Sequence, residues 1–439
     1  MWVILFYSHS FFNKGENMRN INIVIGANFG DEGKGQLTDF FASKYKRQGI
    51  VVRFNGGAQA GHTVLYPNKN LKHVFSHIGS GTFQGLNTYL SKYFIVNPIL
   101  FKKEFQSLIN IGYNPVVIVN PECLVTIPYD MMINQIVESD RANNKHGSCG
   151  VGINETIKRS NYSSDTKIRF KDLYYEKEAI SNFLKKIQKN YVMKRLKELK
   201  VENIPMKFID LLKNNAVIDN FLRDCKFLLD NTLMAPIKTL ENYNNIIFEG
   251  AQGLLLDQNN SDYFPNLTPS NTGMQNVAEI IHSLGFEKEN IEIVYTTRPY
   301  LTRHGAGKLN NELSVKPWDG IKDETNIENQ YQGSLRFAYL DLDLLKKTIE
   351  KDLKFCDKLN YKVKINLSCS GQVTDKFKYY DNAKLQEMVI DDYSCNRMSE
   401  ALEIMLKKLN FNDGYIGKFN TTYNSYELRT FSLTKEFKK

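Results

Sequence analysis

The chain has 439 residues, of which 42% are hydrophobic and 24% charged, a composition typical of one large globular core or of two to three ordinary domains. The net charge of +9 is mild and favours anionic small molecules at least as much as nucleic acid. No stretch approaches the ~18 apolar residues of a membrane span, and the six cysteines have no metal spacing. We therefore predict a cytoplasmic protein with no nucleic-acid or membrane partner.

Residues 1–17 are predicted to be a non-folding extension, with Met18 as a plausible start. The run "INIVIGA" (21–27) is apolar and β-branched, which predicts a buried strand. A glycine-rich turn follows, and "GQLTDFFASKY" (35–45) then has the apolar spacing of a helix.

Further buried strands are predicted within 49–66, 114–125, 244–257 and 289–301, with amphipathic helices between them. Strands that alternate with helices predict an α/β protein with a large, mostly parallel central sheet flanked by helices. Residues 18–439 are predicted to form a single domain, with a lysine-rich helical insertion near 172–240. In such sheets the loops at the carboxyl ends of the strands build the site.

The first loop, "GANFGDEGKGQ" (26–36), connects the first strand to the helix. A P-loop requires Ser or Thr after its Gly-Lys pair, but Gly35 follows Lys34 in this chain. The loop is therefore not a standard P-loop, although Lys34 at a helix N-terminus suits a phosphate. A tight turn with a helix cap is the alternative interpretation. Asp31 and Glu32 are unexpected in a loop that binds an anion.

Four further glycine-containing loops carry polar side chains. "NGGAQAGHTV" (55–64) contains His62, a candidate general acid. "KHGSCGVG" (145–152) offers a hydroxyl and backbone amides for an anion, and "FEGAQGLLLD" (248–257) places an amide between glycines. The remaining loop is "TTRPYLTRHGAGKL" (296–309). The candidate ligands for a nucleotide or phosphate in and near these loops are Ser148, Gln252, Thr268 and Arg303.

In this order the loops resemble those of the adenylosuccinate synthetase family. That family carries GDEGKGK, GGxNAGHT, GTTGRGIGP, FEGAQG, YPYVTSSNT and TRVGAGP. This chain has GDEGKGQ, GGAQAGHT, GSCGVGIN, FEGAQG, YFPNLTPSNTG and TRHGAGK. The resemblance extends from about residue 21 to 310 and implies a P-loop-NTPase-like fold. It also implies a carbon–nitrogen ligase that joins L-aspartate to C6 of IMP, a purine nucleoside monophosphate, and consumes GTP with Mg²⁺.

The resemblance also implies residue roles. Asp31 would take the N1 proton of the base and, with the Gly61 carbonyl, ligate Mg²⁺. His62 would stabilise or protonate the γ-phosphoryl group as it moves to the purine O6, before the aspartate amine displaces phosphate. The implied nucleotide- and phosphate-binding residues are Gly30, Glu32, Gly33, Lys34, Gly35, Gln59, Thr63, Ser148, Gln252, Thr268, Arg303 and Arg336.

Several positions depart from the family pattern. Gln59 replaces an Asn, and Cys149 replaces a Thr that contacts the substrate phosphate. The aspartate-binding run corresponds to "YQGSLRFAYLD" (331–341), where Arg336 alone survives clearly. "NLSCSGQ" (366–372) lacks the carboxylate that would pair with the N–H groups of guanine. The donor is therefore expected to be GTP or ATP, without strict selection of GTP.

These C-terminal departures resemble the phage branch of the family, which makes 2-amino-2'-deoxyadenylosuccinate from dGMP with ATP or dATP. That branch typically loses the loop aspartate, so the retained Asp31 favours IMP. A dGMP-using enzyme in a host cytoplasm and a non-catalytic nucleotide-binding descendant are the alternatives. The family further implies a homodimer with a partner-chain Arg near the substrate phosphate, for which Lys158 and Arg159 are candidates.

Overall fold

The computed structural model describes residues 18–66, 69–141, 149–321, 334–390, 395–420 and 425–433. The predicted extension 1–17 and Ser148 therefore lie outside the described residues, as does the start of the predicted aspartate-binding run. No helix in the described part of the chain combines the length and the apolar character that crossing a bilayer requires.

Short strands dominate the architecture. In chain order they are β1 (Asn20–Gly26), β2 (Ile50–Arg53), β3 (His62–Tyr66), β4 (Leu71–Phe75), β5 (Asn87–Leu90), β6 (Ile95–Val96), β7 (Val117–Val119), β8 (Leu124–Val125), β9 (Leu233–Met234), β10 (Asn245–Gly253), β11 (Asn290–Thr297), β12 (Tyr300–Arg303), β13 (Glu312–Leu313), β14 (Arg336–Asp341), β15 (Tyr361–Leu367), β16 (Lys376–Asp381), β17 (Lys384–Val389), β18 (Asp413–Asn420) and β19 (Ser425–Ser432).

The α-helices lie between these strands. They are α1 (Lys34–Tyr45), α2 (Pro98–Asn110), α3 (Pro128–Asp140), α4 (Ile153–Tyr162), α5 (Lys177–Ile187), α6 (Met193–Glu198), α7 (Met206–Lys213), α8 (Ala216–Asp230), α9 (Met274–Leu284), α10 (Leu342–Leu353) and α11 (Cys395–Leu409).

Ten strands of the described residues form one sheet in the order β19-β18-β15-β11-β1-β10-β2-β5-β7-β9. The neighbouring pairs along this sheet are parallel, apart from the antiparallel pair β18–β19. β1 lies between β10 and β11, and nearly every residue of β1 is buried, as in strands covered on both faces. The predicted α/β fold class, with a large and mostly parallel sheet, is confirmed.

The lysine-rich segment contains helices α5 to α8. The run 181–200 is interrupted by a π-helical turn at Gln188–Val192 between α5 and α6. Apolar residues of these helices share a core with α2; Phe227 of α8 packs edge-on against Phe105 at a ring-centroid distance of 5.8 Å. The single-domain prediction with an insertion near 172–240 stays a prediction.

A buried carboxylate joins α10 to the sheet. Asp352 Oδ1 accepts a hydrogen bond from the backbone N–H of Met274 at the start of α9, at 2.8 Å, and Oδ2 accepts one from the Tyr295 hydroxyl at 2.8 Å. Burial disfavours the ionised carboxylate and raises the pKa of Asp352 to about 7.

We expect this carboxyl group to make stability depend on pH. An aspartate in an unfolded chain titrates near pH ~4, so the folded state binds the proton more tightly. The resulting stabilisation is complete below about pH 4 and is lost as the pH rises through about 7, a change on the order of 4 kcal/mol. Asp352→Asn, which keeps the shape without titrating, should remove this part of the pH dependence.

Urea unfolding of the wild type and Asp352→Asn between about pH 5 and pH 8 measures this difference. Asp262→Asn, at an exposed position, is the control and should follow the wild type. Equal pH slopes for the wild type and Asp352→Asn would contradict the expectation.

Candidate active site

A cleft of about 520 Å³ opens at the carboxyl ends of the central strands. Its wall includes the loops that follow β1, β2, β10 and β12 and the N-terminal turn of α4. This volume is in the range of small-molecule sites. The sequence-predicted residues on its wall are Gly30, Asp31, Gln59, Gly61, His62, Gln252, Thr268 and Arg303.

The loop after β1 is held from within by two buried charges. Glu32 Oε1 accepts hydrogen bonds from the backbone N–H groups of Asn28 (3.2 Å) and Gly30 (2.7 Å). Lys34 Nζ donates to the Gly30 carbonyl at 2.7 Å and lies 3.5 Å from Glu32 Oε2. Burial raises the pKa of Glu32 although Lys34 opposes that shift. Glu32 and Lys34 therefore tie the loop together, and neither is on the cleft wall.

Glycines give the same loop its shape. Gly30 has φ +114° and Gly33, which precedes α1, has φ +84°, conformations that other residues rarely adopt. Gly35 in the first turn of α1 lies against the strand that carries the histidine. A Cβ atom at Gly35 would lie 2.9 Å from His62 Cβ and 3.1 Å from the Thr63 carbonyl oxygen. Gly35 and Thr63 are thus where α1 packs against β3, and neither is part of the cleft wall.

Asp31 differs from its neighbour Glu32. Its side chain is 25% exposed and lies on the cleft wall, where His304 Nε2 approaches Asp31 Oδ2 at 3.4 Å. Gly61 belongs to the same wall. Within the described ranges no group of three or more acidic, histidine or cysteine side chains is arranged to hold a metal.

Carboxylate and carbonyl oxygens are ligands that suit Mg²⁺, which usually takes one or two protein ligands and completes its shell with phosphate oxygens and water. The residues predicted to hold the metal therefore fit a Mg²⁺ ion that is shared with a nucleotide. They do not fit an ion caged by protein alone.

His62 is the centre of a buried network. Its Nδ1 lies 2.8 Å from Glu249 Oε1, and the Ser80 hydroxyl and backbone N–H donate to the Glu249 carboxylate. The guanidinium of Arg53 lies 3.7 Å from Glu249 Oε2. Because a carboxylate only accepts hydrogen bonds, this contact places the ring proton on Nδ1 and leaves Nε2 for a substrate.

Burial sets the charges of this network. It disfavours the imidazolium and lowers the pKa of His62 to about 4, against the attraction of Glu249. Burial alone would raise the pKa of Glu249, but His62 and Arg53 beside it lower that pKa to about 2. Near neutral pH the network therefore contains an ionised carboxylate and a neutral imidazole.

Two amides complete the central part of the cleft. Both polar atoms of the Gln59 side chain are buried and have no hydrogen-bond partner within the described ranges. Gln252 has φ +64°, an unusual conformation for this residue type, and its backbone lies against Gly30. A buried amide without a partner is costly, so Gln59 is well suited to bind a ligand.

The predicted arginines have partners inside the protein. Arg303 donates to the carbonyl oxygens of Lys308 (2.6 Å) and Asn266 (2.9 Å) and lies over the Phe29 ring at 4.7 Å. Arg336, which is not on the cleft wall, pairs with Glu312 at 2.7 Å and donates to the Gly307 carbonyl. These contacts fix the loop after β12; direct contact of either arginine with a substrate stays a prediction.

The part of the cleft wall at the start of α4 was only partly predicted from the sequence. The first turn of α4 lies there, together with Arg141, which pairs with Glu138 at 2.8 Å. A helix N-terminus and an arginine form a suitable environment for a phosphate. Arg141, four residues before the "KHGSCGVG" loop, was an available signal for this site.

The structure corrects one expectation about a second chain. Arg159 is fully buried, and its guanidinium makes two hydrogen bonds to the Asp130 carboxylate, at 2.8 and 2.9 Å. It also donates to the Val125 carbonyl. Arg159 therefore cannot reach a partner subunit, and Lys158 remains the candidate.

Comparisons with known proteins show what the chain is similar to. A sequence model of adenylosuccinate synthetase matches residues 23–369. The adenylosuccinate synthetase of Mesoplasma florum is 31% identical over 340 residues, which cover 76% of this chain and 75% of that protein. That of Borrelia duttonii is 29% identical over 336 residues, covering 75% and 73%.

Two solved structures share the fold. Fully ligated adenylosuccinate synthetase from Plasmodium falciparum aligns with a TM-score of 0.67 and 18% identity over 91% of this chain and 97% of that one. Succinoaminodeoxyadenylate synthetase of cyanophage S-2L, bound to dGMP and dATP, aligns with a TM-score of 0.53 and 14% identity over 94% and 95%. On the sequence match over most of its length, the chain belongs to the adenylosuccinate synthetase family of carbon–nitrogen ligases.

Proposed function

We propose that this ligase joins L-aspartate to C6 of IMP and consumes GTP or ATP to give adenylosuccinate. The observation that carries the proposal is the presence of an accessible Asp31 and a Glu249-bound His62 on the walls of one cleft. The reaction requires a group that accepts the N1 proton and a group that meets the transferred phosphoryl, and these two side chains supply both.

The acceptor nucleotide is proposed to lie along the cleft. Its phosphate would bind at the first turn of α4 beside Arg141, where helix amides and a guanidinium favour an anion. Its base would then extend toward Gln252, Thr268 and Asp31. Gln59, with both amide atoms unpartnered in the described part of the chain, would bind the nucleotide between these ends.

In this arrangement Asp31 accepts the proton from N1, which increases the electron density on O6. O6 attacks the γ-phosphorus of the donor, the bond to the β-phosphate oxygen breaks, and a nucleoside diphosphate leaves. The aspartate amine then attacks C6, and inorganic phosphate departs with the former O6. The negative charge of bound phosphate groups favours the imidazolium form of His62, whose Nε2–H then donates to the moving phosphoryl group, while Glu249, itself held by Ser80, keeps the ring in place.

Mg²⁺ is the proposed metal, with the Asp31 carboxylate and the Gly61 carbonyl as its protein ligands. When bound it supplies positive charge that offsets the developing charge on the phosphoryl oxygens.

The donor is proposed to lie next to the loop after β1. Segment 366–372 borders this loop, since a Cβ atom at Gly33 would lie 3.4 Å from Ser368 Cβ. The Ser368 and Ser370 hydroxyls donate to the carbonyls of Thr297 and Gly417, and the segment contains no carboxylate. This composition favours a donor site that accepts ATP as well as GTP.

Use of dGMP is the second candidate, as in the cyanophage neighbour that was solved with dGMP and dATP. The altered donor segment favours it, whereas the retained Asp31 favours IMP. A non-catalytic descendant is the third candidate, and it would bind nucleotides without releasing phosphate.

A substrate matrix separates the three candidates. Purified protein is assayed with IMP or dGMP as acceptor, GTP or ATP as donor, L-aspartate and Mg²⁺, with phosphate release and product mass as readouts. We expect turnover of IMP. Exclusive turnover of dGMP would establish the second candidate, and no phosphate release with any combination would rule out the ligase.

We propose further that the protein acts as a homodimer in the cytoplasm, with Lys158 near the substrate phosphate of the partner subunit. Sedimentation or light scattering of the full chain measures the dimer, and a monomer with full activity would contradict it.

A further inference from the structure

One wall residue is not accounted for by the proposed chemistry. His304 lies in the loop after β12, where the family motif TRVGAGP has valine and this chain has TRHGAGK. Its side chain is 19% exposed and lines the cleft, with Nε2 at 3.4 Å from Asp31 Oδ2. A second imidazole, besides that of His62, thus contacts the Asp31 carboxylate, which is proposed to accept the N1 proton.

The contact between His304 Nε2 and Asp31 determines whether the other ring nitrogen, Nδ1, is a hydrogen-bond donor or acceptor. A carboxylate accepts hydrogen bonds, so Nε2, the ring nitrogen that meets Asp31, is the one that carries a proton; when the ring holds a single proton, Nδ1 has the lone pair. His304 Nδ1 is buried and has no hydrogen-bond partner among the residues that the structure describes. A buried acceptor without a donor is unfavourable, which indicates that a ligand supplies the donor.

The loop does not need His304 to keep its shape. Arg303 donates to the carbonyls of Lys308 and Asn266, and Arg336 donates to the carbonyl of Gly307. These three hydrogen bonds fix both sides of the loop independently of the imidazole. A purely structural role would therefore leave the choice of this residue and its unpartnered nitrogen unexplained.

We propose that His304 is a specificity-determining residue for the acceptor nucleotide. Its Nε2–H holds one oxygen of Asp31, so that the other oxygen faces N1 of the base, and its Nδ1 accepts a hydrogen bond from an N–H or O–H group of the same nucleotide. The donor is either the ribose 2'-hydroxyl or a 2-amino group on the purine. This inference rests on the proposed function and adds a determinant of which purine monophosphate binds.

Equilibrium binding without donor or metal tests it, because no chemistry is then involved. Calorimetry is performed with IMP, 2'-deoxy-IMP and GMP on the wild type, His304→Val and His304→Gln. IMP and 2'-deoxy-IMP differ by the 2'-hydroxyl, while IMP and GMP differ by the 2-amino group. His282→Val, at a partly exposed site on α9, is the matched control and should bind as the wild type does.

We expect the wild type to favour the nucleotide with the matching donor by about tenfold, the effect of one hydrogen bond left unpaired. His304→Val should bind both members of that pair equally, and His304→Gln, which retains an acceptor oxygen, should keep part of the preference. The nucleotide pair that His304→Val no longer distinguishes shows whether the ribose or the base supplies the hydrogen-bond donor.

Identical preferences in the wild type and His304→Val would overturn the inference, as would a wild type that binds all three nucleotides equally. If the wild type turns over IMP in the substrate matrix, either result refutes the role of His304 alone. If it releases no phosphate with any acceptor, the proposed function itself fails.

Discussion

Replacement of Asp31 by asparagine is expected to lower turnover by about 10³-fold, the scale of losing a positioned general base. Asparagine keeps the shape of the side chain but cannot take the N1 proton, so O6 stays a poor nucleophile. Stability should change little, because Asp31 is partly exposed and its carboxylate lies 3.4 Å from His304 Nε2, a weak contact. Steady-state phosphate release and urea unfolding measure the two effects.

The adjacent acid is the matched control. Glu32→Gln removes the charge that faces Lys34 and weakens the hydrogen bonds from two backbone N–H groups. A loss of about 1–3 kcal/mol in the free energy of unfolding is expected, on the scale of disturbed buried hydrogen bonds. Asp31→Asn protein that retains most of its turnover would contradict the role given to that carboxylate.

Glu249→Gln is expected to reduce both turnover and stability. Turnover should fall by about 10²-fold or more, because the amide no longer selects the ring proton position of His62. The free energy of unfolding should fall by about 3 kcal/mol or more, because Arg53 is left as a buried charge without its carboxylate.

Two further variants separate the effect of the network on turnover from its effect on stability. His62→Gln leaves Glu249, Ser80 and Arg53 together, so it should lose turnover as strongly as Glu249→Gln with a smaller loss of stability. Ser80→Ala removes one hydrogen bond to Glu249 and should cost about 1 kcal/mol of stability with a modest loss of turnover. Full turnover in His62→Gln would refute the account of this network.

The fold was largely predictable because its strongest signals are local. The β-branched run of β1 and the glycines before α1 placed this strand and helix within about one residue of their observed bounds. The hairpin strand β4 was not predicted, since it has only two buried residues and its pairing with β3 is a tertiary contact. The π-helical turn between α5 and α6 likewise has no local signal in that lysine-rich run.

The residues of the cleft wall were predictable only where they lie within one loop. Asp31, His62 and Gln252 were found because glycines surround them. The role of Glu249 was missed because its partner His62 is 187 residues away and only the fold brings them together. The same holds for His304, whose contact with Asp31 joins loops after β1 and β12. The carbonyl contacts of Arg303 could not be read from its sequence neighbours either.

In the proposed reaction, O6 of the acceptor nucleotide is phosphorylated before aspartate attacks C6. IMP labelled with oxygen-18 at O6, incubated with the protein, a donor nucleotide, L-aspartate and Mg²⁺, tests it directly by mass spectrometry of the released phosphate and of the nucleotide product. We expect the label in the released phosphate, in equal amount with adenylosuccinate. Unlabelled phosphate, or phosphate released without formation of a carbon–nitrogen bond, would contradict it.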